Sequence, residues 1–331
     1  YAAFCLSPIH NFRLYLRWSW ESRHAMIMRY VHLRQYPKVF QAVTGLQVTE
    51  FDQWVKEVVP LYTEAERARL ERPGRQRALG AGHPFALAVV WLRLYPTHEV
   101  LGYLFGVSDS AVWRVIDRVL PVLEQAGRDT MRMPDPGKKH RRTLEQLLHD
   151  TPELAVVIDS FEQRVQRPQE RAEADRYSSG KKRQHTLKSQ AAVDEHSGRI
   201  VADCSQSDVS ESVPGPTADI TLLKQSGIMA HLPEGVGAIG DLAYVGIDKL
   251  HPDGLGACPR RKPRGQPRSA ENRAYNTAFS RRRIRVEHTL NRQRRYQSLT
   301  QTDRNHRRLH TERVVAVAGL VNRPIDHRLP A

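Results

Sequence analysis

Cysteine is scarce in these 331 residues: Cys5, Cys204 and Cys258 are too few and too scattered for a disulfide framework or a zinc site. They read as ordinary small residues in a reducing compartment. Long apolar runs are missing too. The longest lies near 85–92, far short of the roughly 20 residues a membrane-spanning helix needs, so no membrane partner is expected. Residues 1–25 contain neither an uninterrupted apolar core nor a small-residue cleavage site, which argues against a secretory signal. Residues 1–27 are expected to be poorly ordered, or to lie upstream of a true start at Met26 or Met28. There is no internal repeat. Acid is also in deficit, with 36 Asp and Glu against 51 Lys and Arg.

The resulting net charge of +15 and a pI near 10 favour a polyanionic partner. Basicity alone leaves nucleic acid, an acidic membrane surface and plain solubility open. Its distribution is more informative. Seventeen of the 51 cations fall in the 54 positions from 260 to 313, and that stretch surrounds Glu287.

Residues 28–132 read as helical. Thr49 is placed to cap one helix, and 85–95, apolar nearly all round, should form a core helix. Within 97–124, Thr97 can cap a helix over 98–105, Gly106 can end it left-handed, and Ser108 can cap a second helix from Asp109. Val112, Val115, Ile116, Val119 and Leu120 then share one face, opposite Ser110, Trp113, Arg114, Asp117 and Arg118. Two helices joined by a short Gly-containing turn, the second basic on its outer face, form the helix-turn-helix arrangement. Ordinary helical hairpins share this pattern; in the DNA-binding reading, Trp113, Arg114 and Arg118 are the contacts. Residues 133–150, with Pro134, Pro136, Gly137, a charge run and a short helix over 143–149, read as a linker.

A second domain over 151–325 opens with strands at 154–165, 184–193 and 199–204. A helix over 218–229 capped by Thr217 follows, then strands at 236–239 and 256–259 and a loop over 263–269. A long basic helix over 271–296 and a final helix over 306–321 complete it. Three meandering strands, a crossover helix, two more strands and terminal helices is the order of a ribonuclease-H-like fold. The expected class is thus a mixed α/β sheet with flanking helices, preceded by an all-α helix-turn-helix domain.

Three acids stand out. Leu154-Ala155-Val156-Val157-Ile158 runs as a buried strand into Asp159, at or near its end. The strand at 236–239 delivers Asp241, and the basic helix carries Glu287, with Arg283, Asn291 and Arg294 on the same face. If all three converge they form a carboxylate cage for a divalent metal, the hard-oxygen donor set that phosphodiester chemistry needs. Singly, each has an ordinary reading: Asp159 and Asp241 as strand-end turn formers, Glu287 as an ion-pair partner of Arg283.

Four blocks bear on that choice: 157–168 (Val-Ile-Asp-Ser-Phe-Glu-Gln-Arg-Val-Gln-Arg-Pro), 179–188 (Ser-Gly-Lys-Lys-Arg-Gln-His-Thr-Leu-Lys), 240–244 (Gly-Asp-Leu-Ala-Tyr) and 280–289 (Ser-Arg-Arg-Arg-Ile-Arg-Val-Glu-His-Thr). Together they resemble bacterial insertion-sequence transposases of the IS-five family and its relatives among the DDE-type transposases, over roughly 30–329. The resemblance implies a ribonuclease-H-like catalytic domain with Asp159, Asp241 and Glu287 as catalytic metal ligands. It implies Mg²⁺ as cofactor, with Mn²⁺ as a substitute, and strand transfer at inverted-repeat ends. Double-stranded DNA, as terminal repeats and as target, is the implied partner, with Lys181, Lys182, Arg183, Arg283 and Arg294 on phosphates. A homo-oligomer on DNA ends and a cytoplasmic, nucleoid-associated location are further expectations. Ser280 and Arg294 stand where the family pattern has Tyr and Lys. The segment 83–91 reads about two helical turns short and 202–211 reads long, which raises the expectation of an impaired copy. The competing readings are an inactive transposase remnant or helix-turn-helix regulator, and a metal phosphohydrolase for small substrates, which the length of the basic stretch disfavours.

Overall fold

The computed structural model describes residues 28–67, 82–136, 151–203 and 212–328. The expectations for 1–27, for a helix over 143–149 and for most of the long segment at 202–211 lie outside them. The chain divides into two compact units, Tyr1–Val119 and Leu120–Ala331.

The first unit is helical, with α1 (Tyr30–Leu33), α2 (Pro37–Thr44), α3 (Val48–Ala65), α4 (His83–Leu94), α5 (His98–Phe105) and the start of α6 (Asp109–Arg128). Pro37 sits in the first turn of α2, where its missing N–H costs nothing, and Gly45 ends the helix at φ 84°. Thr49 is not the cap of α3. The cap is Gln47, two residues earlier, whose N–H donates to the Glu50 carboxylate at 2.7 Å. Helix α4 buries every side chain from Phe85 to Leu92, as its all-round apolarity requires. Phe40, Phe51, Trp54, Phe85 and Tyr62 form a chain of edge-on aromatic pairs with ring centroids 5.2–6.2 Å apart. Each such pair contributes about 0.5–1.5 kcal/mol beyond its burial.

The second unit is built on one mixed sheet: β1 (Leu154–Arg164), β2 (Ser178–Ser179), β3 (Gln184–Asp194), β4 (Ile200–Asp203), β5 (Val213–Pro214), β6 (Val236–Ile239) and β7 (Gly256–Ala257). The order is β2-β3-β1-β6-β7, with β4 and β5 also paired to β3. β1 is central. It pairs antiparallel with β3 from Val156 to Arg164, and parallel with β6 only from Leu154 to Val157. The helices are α7 (Arg171–Tyr177), α8 (Asp219–Ser226), α9 (Ala270–Arg294) and α10 (His310–Asp326). The longer strands and helices follow the expected ribonuclease-H-like order, to which α7, β2 and β5 are additions.

Among the boundaries that differ from expectation, two concern helix starts. Helix α8 starts from Ala218 without a side-chain cap and ends at left-handed Gly227, so Thr217 caps nothing; its carbonyl instead accepts from the Lys188 ammonium. Helix α10 begins at His310, after a 3₁₀ turn over Arg307–Leu309, and runs on to Asp326.

Two contacts hold the helices to the sheet. Arg282 of α9, almost fully buried, donates to both Glu195 oxygens (2.8 and 2.6 Å), to Thr151 Oγ1 (2.7 Å) and to the Pro152 carbonyl (2.8 Å). The last turns of α6 touch α10 backbone to backbone. A Cβ on Gly319 would lie 2.4 Å from Gly127 Cα, so only two glycines permit that approach.

Candidate active site and DNA-binding helices

The helix-turn-helix forms as its capping residues dictate. Thr97 accepts from the Val100 N–H, Gly106 closes α5 at φ 67°, and Ser108 accepts from the Ala111 N–H at 3.2 Å. One position carries a requirement that the spacing did not reveal. A Cβ on Gly102 would lie 2.6 Å from the Val107 carbonyl oxygen, so the turn can fold back only onto glycine. Val112, Ile116, Val119 and Leu120 are buried, while Trp113 is 54% exposed and Arg114 lies open beside it. Arg118 is half-buried. Arg114 folds back on its own helix, donating to the Ser110 carbonyl and hydroxyl at 2.9 and 3.2 Å.

In the second unit Asp159 lies in mid-strand, not at a strand end: β3 continues alongside to Arg164, but β6 has already stopped at Ile239. Gly240 lets the chain turn there, since a Cβ would lie 2.7 Å from Tyr244 Cβ and 2.8 Å from its ring. Extending the Val157↔Ile239 register by two residues sets Asp159 beside Asp241, at the point where the sheet opens. Asp159 accepts from the Ser160 N–H at 2.9 Å and Asp241 from the Ala243 N–H at 2.8 Å, in each case through Oδ1. The second oxygen of each makes no hydrogen bond among the described residues.

Burial, above all, lifts the Asp159 carboxyl above its ordinary range, and the charge of Asp241 adds to this. The Ser160 N–H and the guanidinium groups of Arg283 and Arg294 oppose it. Both arginines come from the α9 face that carries Glu287. Arg283 keeps its Nε buried without a hydrogen-bond partner among the described residues, a donor suited to an anionic oxygen.

The expected cage of three acids is not assembled. Among the described residues no group of three or more His, Cys, Asp or Glu stands close enough to hold a metal, and Glu287 is exposed on α9. Three adjacent carboxylates repel one another unless cations compensate them, and here the compensation at Asp159 is guanidinium. The donors that do fit a hard divalent cation are therefore Asp159 and Asp241. Burial pushes the thiol of nearby Cys258, which donates to the Tyr244 carbonyl, up to about 11.

Beneath Asp159 lies a polar cluster that sequence reasoning missed. The Lys188 ammonium, buried, sits 2.9 Å from Asp219 Oδ1 and 3.8 Å from Glu162 Oε1. Ser160 donates to Asp219 at 2.7 Å and Thr186 to Glu162 at 2.8 Å. Ser160 and Glu162 share a strand face by their spacing, which was readable. That Lys188 lies opposite Glu162 is a property of the β1–β3 register. Lys181, Lys182 and Arg183 occupy the exposed turn before β3, where Arg183 adopts φ 52°.

A family model described as DDE superfamily endonuclease matches residues 158–322. A second, described as helix-turn-helix of DDE superfamily endonuclease, matches residues 85–129. The chain is 29% identical over 283 residues to a protein from Microchaete diplosiphon described as a probable transposase for insertion sequence element IS702, covering 86% of this chain and 93% of that relative. No solved structure matches significantly. The matches stop short of the IS-five family, which none of them names. No helix among the described residues is long and apolar enough to cross a membrane.

Proposed function

Because the chain belongs to the DDE superfamily endonucleases and works on DNA as a transposase, we propose that Asp159, Asp241 and Glu287 are the residues of its chemistry. The observation that carries this reading is the pairing of Asp159 with Asp241 where β6 ends, within reach of two arginines from the helix that bears Glu287. A divalent metal, Mg²⁺ in preference and Mn²⁺ as a substitute, would supply charge neutralisation for the attacking and leaving oxygens when bound at these carboxylates.

The residues of this chain do the rest. Asp159 offers its second oxygen from mid-strand and Asp241 from the turn that follows β6, and Glu287 joins them from the exposed face of α9. Arg283 and Arg294 draw the scissile phosphate toward the carboxylates and contribute affinity without reading sequence. In the first step a water oxygen bonds to phosphorus and the P–O3′ bond breaks, leaving a 3′-hydroxyl on the element's end. That hydroxyl then attacks a target phosphodiester, so that one P–O bond forms as another breaks. No covalent protein–DNA intermediate is required. Trp113, Arg114 and Arg118 of the helix-turn-helix would contact the terminal inverted repeats, with Lys181, Lys182 and Arg183 on phosphates. Joining two ends calls for a homo-oligomer on DNA, acting in the cytoplasm at the nucleoid.

The test is Mg²⁺-dependent cleavage of a labelled duplex carrying the terminal repeat that flanks the coding sequence, with the chain and Asp241→Asn side by side. Cleavage by the former alone is expected. Equal cleavage by both would remove Asp241 from the chemistry, and binding without cleavage by both would identify a remnant.

A further inference from the structure

At the far end of β1, around its last pairing with β3, the second unit carries an open cleft of about 650 Å³ lined by Arg164, Gln166, Gln184, Thr300, Gln301, Thr302 and Arg304. Its lining contains two arginines, amides and hydroxyls, and no acid. Six of the seven residues are exposed outright, among them Arg164 and Arg304. The turn with Lys181, Lys182 and Arg183 leads directly into Gln184.

The floor of this cleft is rigid. The Asp303 N–H donates to the Arg164 carbonyl at 2.7 Å, so the segment after α9 runs beside the end of β1 as a single bridge. Gln163, buried, donates to the Ser298 and Gln301 carbonyls at 2.9 and 2.8 Å, while its Oε1 faces His310 Nε2 at 2.8 Å. An amide oxygen only accepts, so Nε2 carries the proton and Nδ1 accepts from the Ser212 hydroxyl at 2.6 Å. Asp303 is neutralised from below by an ion pair with fully buried Arg313. Asp303, the acid within the 300–304 segment, is thereby turned inward, and no acid is among the described residues that line the cleft.

This surface is not an extension of the carboxylate site. Side chains alternate along a strand, and Arg164 is five positions from Asp159, so the two leave β1 on opposite faces. Asp159 looks toward α9 together with Phe161, whereas Glu162, on the parity of Arg164, looks toward Lys188. Their Cα atoms are separated by roughly 17 Å at ~3.3 Å per residue.

We infer that this cleft is a second DNA-backbone site, which holds the phosphodiester chain of a duplex segment other than the one lying over Asp159. It rests on the reading of the chain as a transposase and adds to it: strand transfer requires two DNA segments, the element's end and the target, to be held at once. Guanidinium groups and amide N–H donors are the chemistry that grips phosphate oxygens without reading bases.

The experiment measures the affinity of the full chain for two 40-base-pair duplexes, one of arbitrary sequence and one ending in the terminal repeat, as a function of salt. Each phosphate contact contributes about 0.9 to the slope of log affinity against log salt. Arg164→Gln with Arg304→Gln should flatten that slope by about 2 on at least one duplex. The duplex affected assigns the cleft to target or to element end. Arg164→Lys with Arg304→Lys should keep the slope, and Lys224→Gln with Lys249→Gln, exposed elsewhere on the same unit, should leave it unchanged. An unaltered slope in the arginine pair on both duplexes, or an equal loss in the Lys224 and Lys249 control, overturns the inference. Absence of DNA binding by the unaltered chain would instead strike at the transposase reading itself.

Discussion

The Arg282–Glu195 pair holds the helix of the proposed site, and its removal is a quantitative test of the fold. Four hydrogen bonds of 2.6–2.8 Å converge on the Arg282 guanidinium, and both side chains are at least 96% buried. Removing one member of a buried ion pair leaves the other charge desolvated and uncompensated, at about 3–5 kcal/mol. Glu195→Ala is therefore expected to lower the melting temperature of the second unit by roughly 6–20 °C, given about 2–4 °C per kcal/mol for a domain of this size. Arg282→Met should cost a similar amount. Replacing both, as Arg282→Met with Glu195→Leu, should recover most of the loss, because a desolvated pair and a well-packed apolar pair of similar volume are close in free energy. The assay is calorimetric melting of the four chains, followed by their DNA cleavage rates. Single variants that melt within 2 °C of the parent, or a double variant no better than the worse single, would refute the assignment of this pair as the anchor of α9.

Asp159→Asn should abolish cleavage while stabilising the protein. In the fold the Asp159 carboxyl is raised above its ordinary 3.8, so above pH 3.8 the folded chain retains a proton that the unfolded chain has released. Stability then falls as pH rises through the window from 3.8 to the raised value, and at pH 7 the ionised group is a net cost. The Asn variant should be about 0.5–2 kcal/mol more stable at pH 7 and indistinguishable from the parent below pH 3.8; a less stable variant at pH 7 would contradict the burial argument. Gly319→Ala should destabilise by about 1–3 kcal/mol in chemical denaturation, despite the better helix propensity of alanine. The new methyl would lie 2.4 Å from Gly127 Cα and force α6 and α10 apart, and a neutral or stabilised variant would show that this approach is not tight.

Much of this protein is local in origin and could be read residue by residue. Thr97, Gly106 and Ser108 place the helix-turn-helix because a cap or a left-handed turn is decided within a few positions. The apolar run before Asp159, the strand ending just before Asp241 and the long basic helix through Glu287 follow from periodicity and composition. Boundaries were less secure: Thr49 and Thr217 have the chemistry of caps, yet the Gln47–Glu50 bond and the packing of α8 start those helices elsewhere. The site itself depends on pairings distant in sequence. The β1–β6 register brings Asp241 beside Asp159, and the β1–β3 register sets Lys188 opposite Glu162. The packing of α9 on the sheet brings two arginines to Asp159 while Glu287 stays exposed. Sequence determined which residues carry charge, turn and cap. Which charges meet was decided by tertiary structure, because electrostatic and hydrogen-bond energies depend on separations of a few ångströms that no spacing along the chain encodes.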